Sequence, residues 1–299
     1  MKYWLCILFV LLLKPIFAQK PDINNWKALE IQMQQLGQQI LKSESEQERI
    51  KANGSFTTLL EQILQDSESF KYPFDSLITI ARLEAPDNSF RIFNWHLPKD
   101  DGTYKYYGYL QHNPKLKNRK KGSPLFYKLS DTKNITAPES KVLSYQEWPG
   151  AHYYSLVPVK KKKNFILLGW DGNNRFSSKK VIEVLQFTAK GEPKFGAPVF
   201  KVEGKTQKRV IFEYKKDASM SLRYQEQDKQ KKIIFNHLAP PSPQLKGQYR
   251  FYVSDLDFDA FNYENGFWKF EPNIAVKNTK SKKDKNWNKP EIPDPIPPQ

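Results

Sequence analysis

The chain has 299 residues, 39% of them hydrophobic and 14% aromatic, and a formal charge of +16. That is long enough for one sizeable core and a small second one, and too rich in apolar residues for a disordered chain. The charge favours anionic partners such as acidic glycans, membrane surfaces or nucleic acid, and a Lys-rich solubilising background is the simpler account of it.

Residues 1–18 read as a secretory signal peptide. Lys2 precedes an apolar run, Tyr3–Leu13, and Ile16-Phe17-Ala18 offers a small-residue cleavage site before Gln19. The run is too short for a permanent membrane anchor, and Lys14 interrupts it. Cys6 lies inside the run and lacks the small residues of a lipoprotein cleavage box. Loss of the segment removes Lys2, Lys14 and the only cysteine. The expectation is a periplasmic or secreted protein without disulfides or a transmembrane anchor, held by its core alone.

Residues 19–72 read as a helical hairpin. Trp26, Leu29, Met33, Leu36 and Ile40 recur at steps of three and four. Ser43-Glu44-Ser45-Glu46 has capping-box spacing and predicts a second helix with Ile50, Phe56, Leu60, Ile63 and Leu64 inward. Asn53-Gly54 is expected to break or kink it.

Residues 73–277 read as a β domain of many short strands, an antiparallel meander. Sandwich, barrel and small propeller-like arrangements all satisfy that pattern. Leu77–Glu84 and Phe90–Leu97 flank the turn Ala85-Pro86-Asp87-Asn88, and Tyr104–Gln111 follows. The most informative stretch is Asn164 to Phe187. Its arms Phe165–Trp170 and Val181–Phe187 flank Asp171-Gly172-Asn173-Asn174, which reads as a hairpin turn. The arms lack clean alternation, so a central strand pair covered on both faces is expected. Strands are also expected at Leu125–Leu129, His152–Val159, Phe195–Val202, Arg209–Tyr214, Ser219–Tyr224, Lys232–His237, Tyr249–Val253 and Phe267–Phe270. Ala85–Trp95 resembles a propeller-blade phrase, but it occurs once and no internal period supports a propeller. Residues 278–299 form a Lys- and Pro-rich tail with too few apolar residues to fold.

No local motif signals catalysis. His96, His112, His152 and His237 show no metal-ligand spacing, and GxSxG, Walker and GxGxxG patterns are absent. A hydrolase using a carboxylate pair needs no local motif and stands as the alternative function. Asp255, Asp257 and Asp259 alternate along a strand and could together chelate Ca²⁺. Ala260 and Gly266 break the calcium-loop pattern, so a solvated acidic face is the simpler reading and no cofactor is evident. Trp95, Tyr107, Tyr109, Trp148 and Trp170 are the aromatic residues best suited to stacking on a sugar. Core and hairpin packing is the competing explanation. The basic runs Lys115–Lys121 and Lys160–Lys163 read as solvated loop tips. Export argues against nucleic acid. Asn53-Gly54-Ser55 and Asn134-Ile135-Thr136 match glycan acceptor triplets, which also arise by chance. The favoured function is therefore a non-catalytic cell-envelope protein, a scaffold or a module that binds an envelope glycan or an anionic surface.

Taken together, NSFRIFNWHLP, NFILLGWDGNN, KKVIEVLQF, KRVIFEYKKDASMSLRY and IIFNHLAP resemble a family of uncharacterised exported proteins of Bacteroidota-type bacteria. The resemblance covers roughly residues 75–277 and implies export and a shared β scaffold, with no activity, cofactor or catalytic residue. His152, in PGAHYY, departs from the pattern, which expects an apolar residue there.

Overall fold

The computed structural model describes residues 25–116, 122–159, 164–227 and 229–275. The expected signal peptide, the tail from 278, the basic residues 117–121 and the run 160–163 lie outside them. The protein is mainly β, in four layers: a helical pair, then three sheets. Each gap between layers holds one apolar cluster.

Helices α1 (Trp26–Lys42) and α2 (Glu46–Leu64) form the outer layer. The cap of α2 is Ser45, whose hydroxyl accepts from the Glu48 amide at 3.2 Å, two residues later than expected from Ser43. Asn53-Gly54 does not break the helix. Asn53 is buried and its Oδ1 accepts from the Trp95 indole at 2.8 Å, so the residue docks α2 on the first sheet. Ile50, expected inside, is 51% exposed. Phe56, Leu60, Ile63 and Leu64 pack inward against Phe93, Trp95 and Tyr109.

The first sheet is a meander of β1 (Ala81–Glu84), β2 (Phe90–Pro98), β3 (Tyr104–His112) and β4 (Phe126–Ser130), paired in chain order. β1 is shorter than expected. Residues 77–80 form turns, with Ile80 donating back to the Leu77 carbonyl. The middle sheet runs β5 (Leu143–Ser144), β9 (Pro193–Phe195), β8 (Ser177–Phe187), β7 (Asn164–Asp171) and β6 (His152–Val159). The 11-residue β8 pairs with β7 along one edge. Its other edge is shared by β9 and by β12 (Val210–Lys215).

The hairpin of β7 and β8 forms as expected. Ile166 and Leu168 enter one apolar cluster, Phe165 and Leu167 the other, which is why the sequence shows no alternation. The turn chemistry differs in detail. The positive φ falls on Asn173 (48°), not on Gly172. Gly172 is needed for space, since a Cβ there would stand 2.3 Å from the Tyr104 ring.

The third sheet orders β11 (Lys205–Gln207), β10 (Phe200–Val202), β16 (Phe267–Glu271), β15 (Val253–Glu264), β14 (Gln230–Ala239) and β13 (Leu222–Gln227). β10 and β16 are parallel; the other neighbours are antiparallel. Gly196, at φ 101°, separates β9 from β10 where one strand was expected. Residues 249–251 form a 3₁₀ turn, and β15 begins only at Val253. Among the described residues, no sheet closes into a barrel.

One buried ion pair crosses the middle sheet. Arg209 Nε donates to Glu183 Oε2 at 2.7 Å, and neither side chain has accessible surface. The guanidinium also bonds the carbonyls of Phe195, Lys141 and Pro138. Arg209→Met should cost about 3–5 kcal/mol, because it strands a buried carboxylate. Urea unfolding measures this, with Lys205→Ala on exposed β11 as a near-neutral control.

Candidate functional site

A cavity of about 790 Å³ forms an open cleft where the start of α2, the first sheet and the middle sheet converge. Its walls come from Glu46 and Ile50 of α2, the β2–β3 turn, residues 132–138 and 149–151, and the β7–β8 turn. Lys99, Lys105, Lys133 and Lys179 supply positive charge; Asn134, Asn173 and Asn174 supply polar groups; Tyr104 and Tyr107 supply rings.

Local chemistry fixes these walls. The Tyr106 hydroxyl donates to Asp171 Oδ1 at 2.8 Å and accepts from the Gly172 amide at 2.7 Å, which locks the first sheet to the β7–β8 turn. Burial and the adjacent Asp171 push the Tyr106 phenol far above its ordinary pKa, so it stays a donor. Arg175 reinforces the lock by donating to the Asp101 carbonyl at 2.8 Å. On the other side, Arg49 of α2 donates to the Pro98 carbonyl at 2.9 Å and pairs with Asp100. Asp100 in turn donates its amide to Glu46 at 2.8 Å.

Asp131 has no accessible side-chain surface. It accepts from the Tyr106 amide at 2.9 Å and pairs with Lys133 at 3.2 Å and Lys105 at 3.8 Å. Two half-exposed lysine side chains thus share one buried carboxylate, and Lys105 also donates to the Asp131 carbonyl at 3.1 Å. Lys133 also lies 4.6 Å from the Tyr106 ring centroid. Gly150, with φ of 72°, admits the Asp131 carboxylate, which a Cβ would approach to 2.3 Å.

The aromatic residues singled out in sequence fare differently. Trp95 (1% exposed), Tyr109 (0%) and Trp148 (0%) are core residues and correct the stacking expectation: a ring without accessible surface cannot meet a sugar. Trp95 stacks between Tyr107 and Tyr109, at 5.6 and 5.9 Å, under α2. Trp148 donates to the Tyr153 hydroxyl at 3.0 Å. Tyr107 is half-buried and lines the cleft. Trp170 is half-buried beside it, packed against Tyr104 and His96 at 5.3 and 5.4 Å. The sequence reading missed Lys105, Lys133 and Lys179. None of them lies in a long lysine run, and the triplet at Asn134 is the sequence signal near them.

The three aspartates do not line one strand face. At β15 a bulge places three residues opposite His237 alone, and Leu256 adopts φ of 76°. Asp255 and Asp257 are exposed, whereas Asp259 is buried and pairs with His237 Nδ1 at 2.8 Å. Asp259 Oδ1 also accepts the Asn273 amide at 3.0 Å. The group at the centre of these carboxylates is thus the His237 imidazole. Among the described residues, no group of three or more His, Cys, Asp and Glu is placed to hold a metal ion.

The carboxylates bordering the cleft, Glu46 and Asp171, are committed to backbone amides and to the Tyr106 hydroxyl. No helix among the described residues is long and apolar enough to cross a membrane.

The hydrogen bond to Asp259, with the charges of Asp255 and Asp257, raises the His237 pKa above its ordinary 6.5. The pair therefore stabilises the fold fully below pH 6.5 and loses that contribution as pH rises through the raised value. In thermal melts, the advantage of the parent over His237→Gln should be largest at pH 5–6 and shrink above neutrality. A gap independent of pH would contradict the assignment. Neither a protein-family model nor a curated protein matches this sequence.

Proposed function

We propose that the protein is an exported cell-envelope binding module that holds an acidic glycan in the cleft between α2, the first sheet and the middle sheet. The observation that carries this reading is the composition of the cleft. Four lysines stand around two tyrosine rings and three asparagine amides. Lysines meet carboxylates or other anionic substituents, amides meet hydroxyls, and rings cover the apolar face of a sugar. The size suits a short oligosaccharide. Export rests on the sequence of residues 1–18 and on the resemblance to exported Bacteroidota-type proteins.

Calorimetry with uronic-acid oligosaccharides and their neutral, carboxyl-reduced counterparts tests the reading. The acidic ligands should bind at least tenfold more tightly, and part of that preference should survive high salt. Lys133→Ala and Lys179→Ala should each weaken binding by about tenfold, in line with about 1.5 kcal/mol for a charged hydrogen bond. Lys205→Ala should leave it unchanged. Equal binding of neutral ligands, or binding to every polyanion that vanishes in salt, would overturn the proposal.

A further inference from the structure

The edge where the β7–β8 turn, the end of β12 and the 3₁₀ turn at residues 249–251 meet carries exposed rings beside cations. Two consecutive amides at the end of β12 join the three. Lys215 donates to the Tyr252 carbonyl at 2.9 Å on one side, and Lys216 donates to the Phe176 carbonyl at 3.0 Å on the other. The 3₁₀ turn also packs against β8. Phe176 and Tyr249 are 65% and 53% exposed, although each carries a large apolar ring.

Both rings stand on fixed backbone. Asn174 Oδ1 accepts from the amides of Phe176 and Ser177 at 2.8 and 3.1 Å, which holds the turn with the Phe176 ring outside. Tyr249 packs on Tyr252, 5.0 Å between centroids, and the Tyr252 hydroxyl accepts from the Gly247 amide at 3.0 Å. The charge is one-sided. Residues 240–252 hold Lys246 and Arg250, both exposed, and no Asp or Glu. Arg175, also exposed, precedes Phe176, and Lys216 donates to the Gly172 carbonyl at 2.7 Å. The carboxylates nearby are already paired: Asp217 with Lys215 at 2.9 Å, and Asp100 and Asp101, whose carbonyls hold Arg175, with Arg49 and Lys99. The next carboxylate after the loop, Asp255, lies 3.8 Å from His237.

Exposed rings flanked by basic side chains match the boundary between lipid headgroups and acyl chains. There an aromatic body enters the apolar layer, a polar tip stays wet, and cations meet phosphates. We propose that this edge is a docking surface for an anionic lipid bilayer, with Phe176 and Tyr249 entering the interface and Arg175, Lys246 and Arg250 meeting headgroup phosphates. Charge favours a bilayer over a second copy of the chain, because two such edges face to face would set like charges together. A fixed backbone also loses little conformational freedom on docking. Asn173 and Asn174 line the cleft just before Arg175 and Phe176, so docking holds the cleft beside the headgroups.

Vesicle co-sedimentation and a local reporter test this on the chain from Gln19, since the apolar run of residues 1–18 would itself enter lipid. That chain has no cysteine, so Phe176→Cys, Tyr249→Cys and Ile78→Cys each carry one environment-sensitive dye. Ile78, 75% exposed in the turns before β1, is the control position. On vesicles of phosphatidylglycerol and phosphatidylcholine in equal parts, the dye at 176 and 249 should brighten and shift to the blue, and the dye at 78 should not. Phe176→Ser and Tyr249→Ser should each lower partitioning about threefold and Arg250→Gln about fivefold, with melting temperatures unchanged. Lys205→Ala should match the parent. No partitioning of the parent, equal partitioning onto pure phosphatidylcholine, parent-like partitioning of all three edge variants, or a response of the dye at 78 alone would each overturn the proposal.

Discussion

The cleft depends on the buried pair of Arg209 and Glu183. Arg209 precedes β12 and Glu183 lies in mid-β8, so their bond joins two neighbouring strands of the middle sheet where no water reaches. The remaining guanidinium donors turn outward to three carbonyls, two of which, Pro138 and Lys141, belong to the segment that forms one cleft wall. That segment is short of regular structure: one 3₁₀ turn, with Ala137 in the left-handed region at φ 48°. It has few backbone partners of its own, and Arg209 supplies them. An ion pair costs desolvation and is weak evidence for added stability, but it specifies one arrangement, since every other position of the loop leaves charge or carbonyls unpaired.

The opposite wall is set by a second junction, where α2, the β2–β3 turn and the β7–β8 turn meet. Arg49, Arg175 and the Tyr106 hydroxyl each bond backbone groups of a neighbouring element. Bonds to backbone fix the path of a turn rather than one rotamer, so the cleft has rigid walls with lysines on flexible stems at its rim. This division suits recognition of a charged, hydroxyl-rich ligand: the walls set its shape, and the ammonium groups adjust to where its charges fall.

Much of the layer structure was legible in the sequence, and the reason is local. The β7–β8 hairpin combines a turn sequence with arms buried on both sides, so its pattern survives in one dimension. The α1 stripe is likewise a property of spacing. Legibility fails where a residue's role is set by a distant partner. Asn53-Gly54 looks like a helix break because both residues are poor helix formers, yet the bond from Trp95 to Asn53 outweighs that propensity. Asp255, Asp257 and Asp259 look like a row of carboxylates because alternation assumes an unbroken strand, and the bulge opposite His237 breaks it. Trp95, Tyr109 and Trp148 look like binding rings in a list of aromatics, since composition does not say which face of a strand is covered. The cleft lysines were invisible because they are far apart in sequence and meet only through the packing of three layers.

Hydrogen exchange with and without a saturating uronic-acid oligosaccharide tests the central claim, that this cleft holds the ligand, most directly. The account predicts added protection at residues 99–105, 131–135, 149–151 and 171–174, with the third sheet unchanged. Protection centred on the β14–β15 bulge around His237, or no localised protection under saturating ligand, would contradict it.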